Sequence, residues 1–79
     1  MVPGPVNVLL VEDDEDTREI LVELLSEVFE VTAAADGLTA FTRAQEHPVD
    51  LVITDESLPG MTGTQLARRL RENGFHMPI

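Results

Sequence analysis

Three carboxylates stand where apolar segments stop. Glu12 and Asp13 follow Val6-Asn7-Val8-Leu9-Leu10-Val11, and Asp55 follows Val49-Asp50-Leu51-Val52-Ile53-Thr54. Both segments are short and rich in branched residues, which reads as strands buried on both faces. In an open parallel sheet, ligands bind beyond the carboxyl ends of the strands, where strand order reverses. If these two strands are neighbours, about 4.8 Å apart, the three carboxylates converge in one crevice. Their repulsion raises at least one pKa unless a cation intervenes. Mg²⁺ suits such a site, because it takes one or two carboxylates and keeps water and phosphate oxygens for the rest. The pattern points to a Mg²⁺ site beside a carboxylate that itself reacts. The plainer reading makes Glu12 to Asp16 a solvated helix start and Asp55 a loop cap; two matched strand ends weigh against it.

Helices must carry the chain from one strand to the next. Ile20, Leu21, Leu24, Leu25 and Val28 form one apolar stripe, with Glu19, Glu23 and Glu27 on the opposite side. Asp14, Glu15 or Asp16 can cap its start, where the helix dipole favours negative charge. Val31-Thr32-Ala33-Ala34 is expected to be a strand only from context, since alanine prefers helix. Asp36-Gly37 punctuates it. Leu38, Phe41 and Ala44 suggest a second helix, ended by Pro48. Leu58-Pro59-Gly60-Met61 reads as a turn. Thr62 and Gln65 have capping-box spacing and open a third helix with Leu66, Ala67 and Leu70 inside. Arg68, Arg69 and Arg71 lie toward its C-terminus and Gly74 stops it. His76-Met77-Pro78-Ile79 looks like the approach to another element. Strand–helix three times implies a parallel sheet with right-handed crossovers.

Composition narrows the chemistry. The chain has 79 residues, 43% of them hydrophobic, which suits one small globular domain and not a disordered acidic tail. There is no cysteine, which excludes thiol catalysis and zinc–thiolate sites. The 5 basic residues are all arginines, which excludes Schiff-base chemistry and a P-loop lysine. A net charge of −10 argues against nucleic acid or an anionic membrane as a direct partner. Residues 1–5 read as a flexible lead-in without a basic n-region, and no run approaches membrane-spanning length, so a cytoplasmic protein is expected.

With these segments in place, the chain resembles the receiver domain of two-component response regulators. The matching runs are Val8-Leu9-Leu10-Val11-Glu12-Asp13-Asp14, Val31-Thr32-Ala33-Ala34-Ala35-Asp36-Gly37, Asp50-Leu51-Val52-Ile53-Thr54-Asp55 and Leu58-Pro59-Gly60-Met61-Thr62-Gly63. The resemblance implies an α/β, flavodoxin-like, doubly wound sheet with three β-α units in strand order 2-1-3, over residues 6–79. It implies a signalling module, not an enzyme, with Asp55 as phospho-acceptor. A sensor histidine kinase or a phosphotransfer protein would be the donor. It implies Asp13 as the direct Mg²⁺ ligand, Glu12 acting mainly through water, Asp55 itself, and the backbone carbonyl of Ser57 as a further ligand.

The sequence also departs from that pattern. The family's fourth and fifth β-α units, with a phosphoryl-binding hydroxyl and a lysine, have no counterpart up to Ile79. Glu56 is acidic where the family has an apolar residue, and is expected to face solvent. Ser57 occupies the position of the second aspartate of aspartate-nucleophile phosphohydrolases, which argues against that rival. A calcium loop at residues 13–18 fails for want of a mid-loop glycine. His47 and His76 read as surface residues, Met61 and Met77 as packing residues. The remaining alternative is a non-switching half-receiver that binds a protein partner. Without a fourth strand, Leu51-Val52-Ile53 becomes an edge with unpaired backbone groups, an invitation to self-association. Sedimentation at high concentration is expected to show more than a monomer; a purely monomeric profile overturns this.

Overall fold

A computed structural model describes residues 4–79. Of the expected lead-in, residues 1–3 lie outside the described residues. Six elements alternate along the chain: β1 (Asn7–Val11), α1 (Glu15–Leu25), β2 (Glu30–Ala34), α2 (Gly37–Glu46), β3 (Leu51–Thr54) and α3 (Gly63–Glu72). The three strands form one parallel sheet in the order β2-β1-β3, the flavodoxin-like order read from the sequence.

β1 is the centre of the sheet, and its burial follows from that. Val8, Leu9, Leu10 and Val11 are each no more than 1% exposed. Successive side chains of a strand point to opposite faces. Leu9 and Val11 join Val52, Ala40 and Ala44 of α2, and Leu66 and Leu70 of α3, in one buried cluster. Val8 and Leu10 point the other way, toward α1. Alanine in β2 now has a reason: Ala34 packs with Ala40 and Ala44, and small side chains let α2 lie close to the sheet. Phe41, Met61, Phe75 and Met77 are half-buried against the same cluster. Phe75 meets Phe41 edge-on at 6.4 Å, and the Arg69 guanidinium lies 5.5 Å over the Phe41 ring. Such contacts contribute modestly beyond area burial.

The ends of α1 and α3 use the expected side chains, and Asp36, read from the sequence only as a break after β2, caps α2. Asp14, of the three acidic candidates, caps α1, accepting from Thr17 N–H at 2.8 Å and its hydroxyl at 2.7 Å. Asp36 caps α2 through Thr39 N–H at 2.7 Å. Thr62 and Gln65 form the reciprocal capping box of α3. Gly74 has a φ of +85°, and the Phe75 amide reaches back to the Leu70 carbonyl at 3.0 Å, which closes α3 in a Schellman turn. Gly60, with a φ of +73°, follows Pro59 as a type II turn requires.

Three details differ from expectation. The α1 stripe is not buried: Ile20 is 58% exposed, Leu24 57% and Val28, beyond the helix end, 74%. α1 stands alone on its side of the sheet, so only Leu21, Val22 and Leu25 find partial cover. β3 starts at Leu51, not Val49; just before it the Asp50 amide still donates to the Asn7 carbonyl at 2.7 Å, while the Asn7 amide donates to the Asp50 carboxylate, not to a main-chain carbonyl, at 2.8 Å. The β3 edge is also not bare throughout. Val52 N–H donates to the Pro78 carbonyl at 2.9 Å, so residues 76–79 begin to run beside it, while Ile53 stays 37% exposed.

The two faces should respond differently to truncation. Leu66→Ala removes a fully buried side chain and is expected to cost about 2–5 kcal/mol. Leu24→Ala sits on the open face and should cost less than about 1 kcal/mol. Urea unfolding of both variants checks this; equal losses would mean that the α1 face is packed in solution.

Candidate functional site

The site begins with the register of β1 on β3. Val11 pairs with Thr54, so both strands stop at the same level and the next residues face one crevice. The Glu12 amide is held by the Ala34 carbonyl of β2 at 3.0 Å, and the Asp55 amide by the Val11 carbonyl at 3.3 Å. Both acidic positions are therefore fixed through the main chain by neighbouring strands. The Thr54 hydroxyl donates to the Asp55 carbonyl at 2.9 Å. Arg18 reaches back from α1 to the Glu12 carbonyl at 3.0 Å, bracing the turn between β1 and α1 without spending its charge on a carboxylate.

Carboxylate oxygens of Glu12, Asp13 and Asp55 lie within 4.8 Å of one another. Glu12 is 8% exposed, while Asp13 and Asp55 are open to solvent. At this separation each like-charged pair costs about 1 kcal/mol in water and a few kcal/mol nearer the interior. Glu12 bears the consequence. Hydrogen bonding of its side chain to the neighbouring Asp55 carboxyl, with burial acting in the same direction, raises its pKa from the ordinary value, against the opposing bond from the Asp14 amide. Asp14 and Asp36 shift the other way, because Thr17 and Thr39 donate to their charged forms. Three hard oxygen donors, one of them shielded from water, fit a small divalent cation such as Mg²⁺.

Of the residues singled out from sequence, Glu12, Asp13 and Asp55 are brought together, whereas Ser57 lies two positions on, in the exposed loop to α3. The arginines Arg68, Arg69 and Arg71 and the histidines His47 and His76 stay away from the cluster. Two features of the site were not read from the sequence. Gly63 has no room for a side chain: a Cβ there would collide with the Asp55 carbonyl oxygen, so α3 begins in direct contact with the Asp55 main chain. Its amide donates to the Glu56 carbonyl at 2.9 Å. Glu56 is exposed as expected, yet its carboxylate is bonded to Thr64, eight residues away. No sequence periodicity signals a contact across that loop.

A parallel α/β sheet in this strand order, with an acidic crevice at its switch point, defines the class as a flavodoxin-like domain with its site where such sheets bind ligands. The family model described as the response regulator receiver domain matches residues 8–79, and the chain belongs to that family. It is 44% identical over 66 residues to the response regulator receiver protein CpdR of Brucella abortus, covering 82% of this chain and 55% of that protein. The chemotaxis response regulator CheY4 of Vibrio cholerae superposes with a TM-score of 0.82 at 33% identity, over 86% of this chain and 57% of that one. The receiver domain of Ssk1 from Saccharomyces cerevisiae, solved with the histidine phosphotransfer protein Ypd1, is also similar. There the TM-score is 0.82 at 28% identity, over 92% of this chain and 51% of that chain. The chain thus spans about half the length of such relatives.

The raised Glu12 pKa fixes a sign. The folded chain holds this proton more tightly than the unfolded chain, so the associated stability is present below the ordinary carboxylate range. It is lost as pH rises through the raised value. Asp14 and Asp36 act oppositely, losing their contribution as pH falls below the ordinary range. Metal-free wild type should therefore lose thermal stability as pH rises through the raised Glu12 value, and Mg²⁺ should restore it. Glu12→Gln should flatten that limb, raise the metal-free melting temperature and weaken Mg²⁺ binding. Melting curves across pH with and without Mg²⁺ test this; an unchanged limb in the variant excludes Glu12 as its source.

Proposed function

We propose that Asp55 accepts a phosphoryl group from a histidine kinase or phosphotransfer protein, with Mg²⁺ held by Glu12, Asp13, Asp55 and the Ser57 carbonyl. The observation that carries this reading is the convergence of the Glu12, Asp13 and Asp55 carboxylates within 4.8 Å at the ends of β1 and β3. Membership of the receiver family supports it, as does the phosphotransfer partner found with the related Ssk1 domain.

The chemistry needs position more than covalent assistance. An Asp55 carboxylate oxygen attacks phosphorus in line with the donor. A phosphorus–oxygen bond forms, the phosphorus–nitrogen bond of the donor phosphohistidine breaks, and its electron pair returns to the imidazole. Asp55 suits this role because its main chain is anchored to β1 while its side chain is open to solvent. Mg²⁺, when bound, would offset the charge of the three carboxylates and of the incoming phosphoryl oxygens. Glu12 and Asp13, set beside Asp55 by the end of β1, would supply the carboxylate oxygens that hold the cation. The cytoplasm is the location this reading carries, and the open stretch of the β3 edge remains available for self-association.

A second reading has its own observation. Ile20 and Leu24 of α1 are more than half exposed, an apolar face suited to a protein partner. On that reading the chain is a non-switching half-receiver that binds a partner without signalling.

One experiment separates the two. Treated with an acyl phosphate or a phosphorylated histidine kinase and Mg²⁺, the wild-type chain should gain the mass of one labile phosphoryl group. Asp55→Asn and chelation of Mg²⁺ should each abolish the gain. A binding module would show no gain and would bind its kinase equally well with Asp55→Asn.

A further inference from the structure

Glu56 is the residue that the proposed reaction leaves without a role. Its carboxylate accepts from the Thr64 amide at 2.6 Å and from the Thr64 hydroxyl at 2.8 and 2.7 Å. Its main-chain carbonyl accepts from the Gly63 amide at 2.9 Å. The first turn of a helix has amides without intrahelical partners, and a negative charge there is favoured by the dipole. In α3, Thr62 takes the Gln65 amide, and Glu56 takes both Gly63 and Thr64. One residue, directly after Asp55, thus ties the end of β3 to the start of α3 by backbone and side chain together.

That tie closes a loop otherwise held by side-chain packing, with Leu58 and Met61 partly buried against the core. Among the described residues, no hydrogen bond between backbone groups, or to a side chain, anchors residues 57–61. Gly63 already rests on the Asp55 carbonyl with no space to spare. If the Glu56 clamp opens, Asp55 keeps its amide bond to Val11, but the segment after it, with the Ser57 carbonyl, loses its side-chain tie to the first turn of α3. The carboxylate is spent on Thr64 and stands outside the acidic cluster of Glu12, Asp13 and Asp55, so its charge is not itself a cation ligand.

We propose that Glu56 is a positioning residue for the acceptor site, holding the segment after Asp55, with the Ser57 carbonyl, in place by clamping the first turn of α3 through Thr64. The link to cation binding rests on the function proposed above; the clamp itself does not.

The test compares wild type with Glu56→Gln, Glu56→Ala and Thr64→Val by amide hydrogen exchange and by Mg²⁺ titration followed in ¹⁵N–¹H spectra. Glu56→Ala removes the side-chain acceptor of the Thr64 amide and should speed exchange there about tenfold, as for a lost helix cap, and weaken Mg²⁺ binding several-fold. Thr64→Val, which keeps the amide donor, should fall between. Glu56→Gln retains an acceptor oxygen without the charge and should stay within about twofold of wild type in both readouts. Loss in Glu56→Gln equal to that in Glu56→Ala would show that charge, not position, is the contribution, and would overturn the proposal. Unchanged Thr64 amide exchange in Glu56→Ala would also overturn it. If Glu56→Ala fails to fold, the comparison of Thr64→Val with Glu56→Gln decides. If the wild-type chain shows no Mg²⁺ response at Glu12, Asp13 and Asp55, the proposed function fails, while the exchange rates still decide the clamp.

Discussion

The register of β1 against β3 is the constraint on which the acidic crevice depends. A parallel pair has a side-chain period of two, so a slip of one residue would turn each side chain to the opposite face. With Val11 level with Thr54, Glu12 and Asp55 emerge side by side. The same register sends Leu9, Val11 and Val52 into the cluster with α2 and α3. Burial therefore enforces the geometry that chemistry uses. The apolar residues could not keep their core and at the same time release the carboxylates from one another. Repulsion among the three is a local cost carried by a fold whose cohesion lies one layer below.

Much of this was legible because it was local. The branched runs of β1 and β3, the carboxylates ending them, the Thr62–Gln65 box and the Gly74 stop each depend on residues a few positions apart. The convergence of Glu12, Asp13 and Asp55 needed one further step, the neighbouring of β1 and β3, which the alternation of strands and helices and the family resemblance supply. What was not legible depends on space. The Ile20–Leu24 stripe has the spacing of a buried face, but spacing does not show whether anything lies opposite. The Glu56–Thr64 bonds cross a loop and carry no periodicity. Gly63 reads in sequence as an ordinary first helical residue, and its collision with the Asp55 carbonyl appears only once α3 is placed.

The two faces of the sheet differ in a way that bears on the site. On the α2–α3 side, Leu66 and Leu70 are fully buried and the packing is closed. On the α1 side, no helical residue is buried, and Ile53 of β3 remains partly open. The groups that fix Asp55 come from the closed side and from the sheet itself: the Val11 carbonyl, Gly63 and the first turn of α3. From α1 come Arg18, reaching to the Glu12 carbonyl, and the amide of the N-cap Asp14, which donates to the Glu12 carboxylate.

A chain spanning about half the length of its relatives can therefore still assemble the acidic crevice. Every main-chain hydrogen bond named for Glu12, Asp55 and Glu56 is made within β1, β2, β3 and the start of α3. The acceptor carboxylate and its acidic neighbours are thus a property of three strands and one helix terminus, held by short contacts among them. The α1 face contributes area but little geometry to them. Stability and site geometry are partly separable in this fold: loosening α1 should lower the first long before it disturbs the second, whereas loosening the Asp55–Gly63 contact should do the reverse.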